Sequence, residues 1–133
     1  MIEVVKIKER IRSHLLSHTT VPEDHLAIAG GSLPPPGNMW FRESFSEFSI
    51  DYPAQFSWVI SGSAVYEVFQ AADSNFREAE TVCQTIGEAF LPPLLLTGEG
   101  FCIQTQRIAF PASGRESAWN HGSVRITFSV FPV

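Results

Sequence analysis

The run Gly122-Ser123-Val124-Arg125-Ile126-Thr127-Phe128-Ser129-Val130-Phe131 alternates apolar and polar residues almost without fault. Successive side chains of a strand point to opposite faces, so Val124, Ile126, Phe128 and Val130 line one face while Arg125, Thr127 and Ser129 line the other. Such a strand is buried on one side only. Phe101 to Phe110 repeats the pattern. Before these two strands the period changes: Phe76, Ala79, Val82, Cys83, Ile86 and Phe90 recur at steps of three and four, with Arg77, Glu78, Glu80, Gln84 and Glu88 between them. This spacing predicts a helix from about Asn75 to Leu91 with one apolar face. Asp73, Ser74 and Asn75 can cap its start, Glu78 follows Asn75 at the capping-box distance, and Pro92-Pro93 stops it.

Further toward the N-terminus, Phe56 to Phe69 is rich in Trp, Val, Ile, Tyr and Phe, and predicts either one long bent strand or two shorter ones around Gly62. Glu43 to Ile50 predicts a strand whose broken alternation suggests a bulge. Ile2, Val4, Val5, Ile7, Ile11, Leu15 and Leu16 form an approximate helical stripe and predict an opening helix over residues 2 to 17. Gly30-Gly31 and Pro34-Pro35-Pro36-Gly37 predict a long loop over 29–43, after a short strand at Leu26 to Ala29. Residues 111–120 are too many for a tight hairpin and predict a second long loop, standing off the sheet as a flap. The expectation is an α+β fold in the order α-β-β-β-α-β-β: a mainly antiparallel sheet with two helices packed on one face.

The chain has 133 residues, 44 % hydrophobic and 17 % charged, enough apolar surface for one domain over 1–133 and too little length for a second core. Nine Lys plus Arg against fourteen Asp plus Glu give a net charge of -5. No long-range field would gather a polyanion, which argues against nucleic acid as the main ligand. No apolar stretch approaches the ~20 residues that a membrane-spanning helix needs. The first residues mix acids and bases with apolar groups, unlike a secretory signal, so a cytoplasmic chain is expected.

Motifs for chemistry are sparse. Cys83 and Cys102 are too few and too far apart for a disulfide scaffold and read as small buried hydrophobes. His14 and His18 have the i, i+4 spacing of zinc ligands, but the glutamate of an HExxH motif is missing and no third ligand is placed. Ser61-Gly62-Ser63 does not match the GxSxG nucleophile elbow. Gly30-Gly31 lacks the further glycines and lysine of a phosphate cradle. Glu78 with Glu80, and Glu23 with Asp24, read as solvated carboxylates. No catalytic residue, cofactor or metal ligand is therefore expected. The prominent residues are instead aromatics and arginines in irregular segments, a composition enriched at protein contacts. Trp40, Phe41, Arg42, Arg107, Arg115, Trp119 and Arg125 are the expected subunit or partner interface.

Met39-Trp40-Phe41-Arg42, Ile11-Arg12-Ser13-His14-Leu15, Val65-Tyr66-Glu67-Val68-Phe69, Arg77-Glu78-Ala79-Glu80 and Gly122 to Phe128, in this order of elements, resemble the tail terminator proteins (minor tail proteins) of long-tailed bacteriophages and prophages. The likeness spans nearly the whole chain, through soft motifs of hydrophobic pattern. It departs where Gln70-Ala71-Ala72-Asp73 stands in place of a glycine, and in the Pro34 to Pro36 loop. The resemblance implies a non-enzymatic structural protein of the virion tail, assembled in the bacterial cytoplasm without cofactors or membrane. It further implies a homo-oligomeric ring, a hexamer in that family, that caps the tail tube and docks to the head connector while DNA only passes through. The residues also leave open another phage neck, tail-completion or tube-related protein, and a small α+β enzyme or ligand-binding domain.

Overall fold

The computed structural model of the chain describes residues 3–28, 38–46, 48–54, 57–71, 76–111, 113–116 and 119–133. Gly30-Gly31, the Pro34 to Pro36 run and the proposed caps Asp73 to Asn75 lie outside the described residues. The elements are α1 (Val4–His18), a short 3-10 turn (Glu23–His25), β1 (Leu26–Ala27), β2 (Met39–Phe45), β3 (Ser49–Asp51), β4 (Val59–Ala71), α2 (Phe76–Ala89), β5 (Leu95–Gly98), β6 (Phe101–Ala109), β7 (Gly114–Glu116) and β8 (Trp119–Pro132). The fold is α+β, as expected.

One sheet runs β1-β2-β4-β8-β6-β5. Every pairing is antiparallel except the parallel pair β1 and β2. Since β8 pairs one side of β4 from Ile60 to Ala71, β2 and β3 share its other side end to end. In the same way β6 and β7 share one side of β8.

The helices cover a single face. Ile7, Ile11 and Leu15 of α1 and Ala79, Cys83, Ile86 and Phe90 at α2 join Phe41, Tyr66, Val68, Ile103, Val124, Ile126, Phe128 and Val130 in one buried cluster. Those sheet residues occupy alternate positions in register, so their neighbours point to the face that carries no helix.

A buried polar linkage ties α1 to this core. Glu43, 1 % exposed, accepts Arg12 Nη2–H at 2.6 Å and Tyr66 O–H at 2.8 Å. The hydrogen bond to Glu43 holds the Arg12 guanidinium above its ordinary pKa, and burial pushes the Tyr66 hydroxyl well above the usual tyrosine range. His14 donates from Nε2 to the Ala89 carbonyl at 2.7 Å and stacks on His18, with 4.0 Å between ring centroids, so the i, i+4 pair fastens the end of α2.

Several expectations need correction. Met39 to Glu43 form most of β2 and are not part of a loop. Within the expected flap 111–120, Gly114 to Glu116 pair with β8, and Trp119 and Asn120 already belong to β8, so these residues lie in the sheet, while Ala112, Ser117 and Ala118 lie outside the described residues. The broken alternation near residue 46 is an interruption between β2 and β3, where Ser46 N–H donates to the Ser63 carbonyl at 2.9 Å and Ser63 N–H to Ser46 Oγ at 2.8 Å. Of the two readings around Gly62, the single long strand holds, since β4 is continuous over thirteen residues. The lack of a side chain at Gly62 makes room for Phe48: a Cβ there would stand 2.5 Å from Phe48 Cδ1.

Candidate interaction surfaces

The face without helices carries an aromatic and charged cluster at one end. In register, Trp40 sits opposite Phe69, Arg42 opposite Glu67, Phe69 opposite His121 and Ala71 opposite Trp119. Residues paired across strands share a face, so β2, β4 and β8 bring Trp40, Arg42, Glu67, Phe69, His121 and Trp119 together. The Trp40 ring stacks on Phe69 with centroids 4.2 Å apart and meets Trp119 edge-on at 6.2 Å. Arg42 lies over the same Phe69 ring at 4.9 Å. Phe69 is consequently only 2 % exposed although no helix covers it.

Glu67 is the hub of the polar part. Arg42 grips both its oxygens, Nε to Oε1 at 2.8 Å and Nη2 to Oε2 at 2.9 Å, and His121 Nε2 reaches Oε2 at 2.6 Å. Partial burial raises the carboxyl pKa, but the hydrogen bonds from Arg42 and His121 outweigh it and hold Glu67 below the usual carboxylate range. The platform is thus a set of aromatic rings braced by a bidentate ion pair, with two half-buried tryptophans at its rim. It offers large rigid surface at low entropic cost, the property of a contact patch.

The expected interface residues divide into three surface groups and one core residue. Trp40, Arg42 and Trp119 meet in the platform. Arg107 on β6 and Arg125 on β8 are exposed on the same face further along the sheet, where Arg107 sits opposite Thr127 and Arg125 opposite Ala109. Arg115 on β7 pairs with Asn120 and shares its side of the sheet, facing away from the platform. Phe41 must be removed from the group: it points to the helices and is 3 % exposed in the core. Reading 29–43 as loop hid this, because strand alternation sends Trp40 and Arg42 one way and Phe41 the other.

Three platform members were missed: Glu67, Phe69 and His121. The available signal was a lone acid inside the apolar run Val65 to Phe69, which in a half-buried strand calls for a cation across the ladder.

A second surface lies on the helix side. Phe110, Pro111 and Ser113 lie between β6 and β7, and a groove of about 730 Å³ opens between them and α2. Cys83, Gly87 and Leu91 lie along its floor at helical spacing, Glu80, Gln84 and Glu88 form one wall, and Ile108 and Phe110 the other. Leu91 and Phe110 are 59 % and 54 % exposed. Gly87 allows Phe110 to approach, since a Cβ would lie 2.8 Å from the ring. Burial, helped by the charge of Glu80, pushes the Cys83 thiol up to about 12. It therefore stays protonated at neutral pH and offers no thiolate nucleophile.

No group of three or more His, Cys, Asp or Glu able to hold a metal occurs among the described residues. Among the same residues no helix is long and apolar enough to cross a membrane.

No family model matches the sequence, and no curated protein matches it. Twelve solved chains match in structure. One of them aligns over 100 % of this chain and 97 % of its own length, with a TM-score of 0.72 and 15 % sequence identity. At that identity the likeness establishes the architecture: this chain is similar in fold, end to end, to a solved protein.

Proposed function

We propose that the chain is a structural tail terminator of a bacteriophage or prophage, a subunit of a homo-oligomeric ring that ends the tail tube and presents a docking face to the head connector. The observation that carries the reading is the one-sided sheet. Both helices cover one face, while the opposite face keeps Trp40, Arg42 and Trp119 at its surface around the buried Phe69 ring. A closed ring requires two unlike surfaces on every subunit. The helix layer and the uncovered sheet face supply two. The sheet also ends in short edge strands, β1 with two residues and β5 with four. Neither carries a lysine, and their shortness limits how far another chain could pair with them, so the ring contact falls to the faces and not to the edges. A ring wall needs contacts of this kind and no bond-making chemistry. The hexameric state, the tube and connector partners and the passage of DNA follow from the sequence resemblance and belong to this proposal.

The test is to add the purified protein to polymerising tail tube protein from the same phage genome and measure tube lengths. Capping is expected to shorten the tubes in proportion to the protein added, and unchanged lengths at molar excess would refute the reading. The groove beside α2 has the volume of a small-molecule site and favours the second reading, a ligand-binding domain. Under that reading a metabolite would raise the melting temperature without altering tube growth.

A further inference from the structure

The groove and the uncovered face are complementary in charge and in apolar character. Glu80 and Glu88 stand in the groove wall, above the exposed apolar surfaces of Leu91 and Phe110. On the opposite face of the sheet, Arg107 and Arg125 occupy diagonal positions on β6 and β8, and their ladder neighbours Thr127, Ala109 and Val65 are uncharged. Among the described residues neither arginine makes a hydrogen bond or ion pair. The adjoining edge strand adds Leu95, 60 % exposed, whose ladder partner Gln104 faces the same way.

We propose that neighbouring subunits join by seating the Leu95, Arg107 and Arg125 patch of one copy against the groove of Glu80, Glu88, Leu91 and Phe110 of the next. The occupant is a second copy of this chain, because one chain carries both halves: two unpaired cations beside an aliphatic knob, and two carboxylates beside an apolar floor. The halves lie on opposite faces of the sheet. A subunit that uses one therefore keeps the other free, and association runs head to tail, as a ring requires. Salt bridges exposed to water contribute little, but the same pairs drained of water at an interface discriminate strongly between partners. The inference rests on the ring reading and adds the surfaces by which the ring closes.

Charge reversal with mixing tests it by sedimentation velocity. The double variants Arg107→Glu with Arg125→Glu, and Glu80→Arg with Glu88→Arg, alter only exposed side chains, and circular dichroism checks that they fold. Each variant alone should need roughly tenfold or more protein to assemble. An equimolar mixture should regain wild-type assembly, since each altered patch then meets an altered groove. The wild type should also assemble less as salt rises from 0.05 to 0.5 M, because screening shortens the reach of the pairs; this arm needs no variant. If the wild type assembles but both variants assemble equally well and salt has no effect, the pairing is wrong and the ring reading stands. If the wild type stays monomeric at every concentration, the ring reading fails and this inference fails with it.

Discussion

Single residues decide how tightly the opening helix is held. Glu43 is a buried carboxylate whose partners are Arg12 and Tyr66. Removing one partner of a buried ion pair leaves the other charge uncompensated, typically at a cost of about 3–5 kcal/mol. Arg12→Met should accordingly lower the unfolding free energy by about 3 kcal/mol in urea titrations. Glu43→Gln, which can still accept the Tyr66 hydrogen bond, should cost less. Equal losses in the two variants would show that the charge itself is unimportant. His14 makes α1 sensitive to acid. Burial holds its imidazole below the ordinary histidine pKa, reinforced by the nearby positive groups of His18 and Arg10 and opposed by the bond to Ala89. The unfolded chain then takes up a proton near pH 6.5 that the folded chain resists, so stability declines as pH falls below about 6.5. Subtracting the stability curve of His14→Gln from that of the wild type should isolate this decline; a flat difference between pH 7 and 5 would assign the acid sensitivity elsewhere.

Among the elements, β4 carries a close packing constraint at Gly62. Phe48 lies over Gly62 and meets Phe128 edge-on at 5.5 Å. Gly62→Ala would drive the ring out of that place and should cost about 1–3 kcal/mol, the range for overpacking. A neutral or stabilising result would mean that Phe48 moves freely. The same strand shows what the sequence could and could not disclose. The second helix was legible because Ala79, Val82, Cys83, Ile86 and Phe90 keep the helical period and Pro92-Pro93 closes it. The last strand was legible because Val124 to Val130 has one fully buried face. The start of β2 was not, because Trp40 and Arg42 occupy a face that has no helix over it and yet is not simply polar, so no clean alternation marks the strand. Leu94-Leu95-Leu96 hid β5 for the opposite reason: three identical residues conceal that Leu95 is exposed and Leu96 buried. Three-residue β7 is held by its ladder with β8, a long-range fact that no local pattern carries. Of the candidate surfaces, the tryptophans and arginines were visible as residue types. The pairing of Glu67 with Arg42 and His121, and the groove beside α2, depend on strand register and could only be seen folded.

At the scale of the whole molecule, the open face carries the aromatic platform apart from the buried cluster that holds the helices to the sheet. The two tryptophans of the platform lie outside the buried cluster that joins helices to sheet. Trp119→Ala should therefore weaken docking of a partner on the platform, a contact distinct from the groove between subunits, by about tenfold or more while lowering the melting temperature by only a few degrees, since an aromatic anchor at a contact typically accounts for 2 kcal/mol or more of binding. Trp40→Ala should show the same bias with a larger thermal cost, because it also strips the ring stacked on Phe69. A large thermal loss with unchanged docking would place both residues in the service of the fold. The central claim is that this chain acts by assembling into a ring, and electron microscopy of the purified protein tests it most directly. Annular particles of uniform diameter with an open centre are predicted, whereas a field of single small globules at every concentration tried would contradict the account.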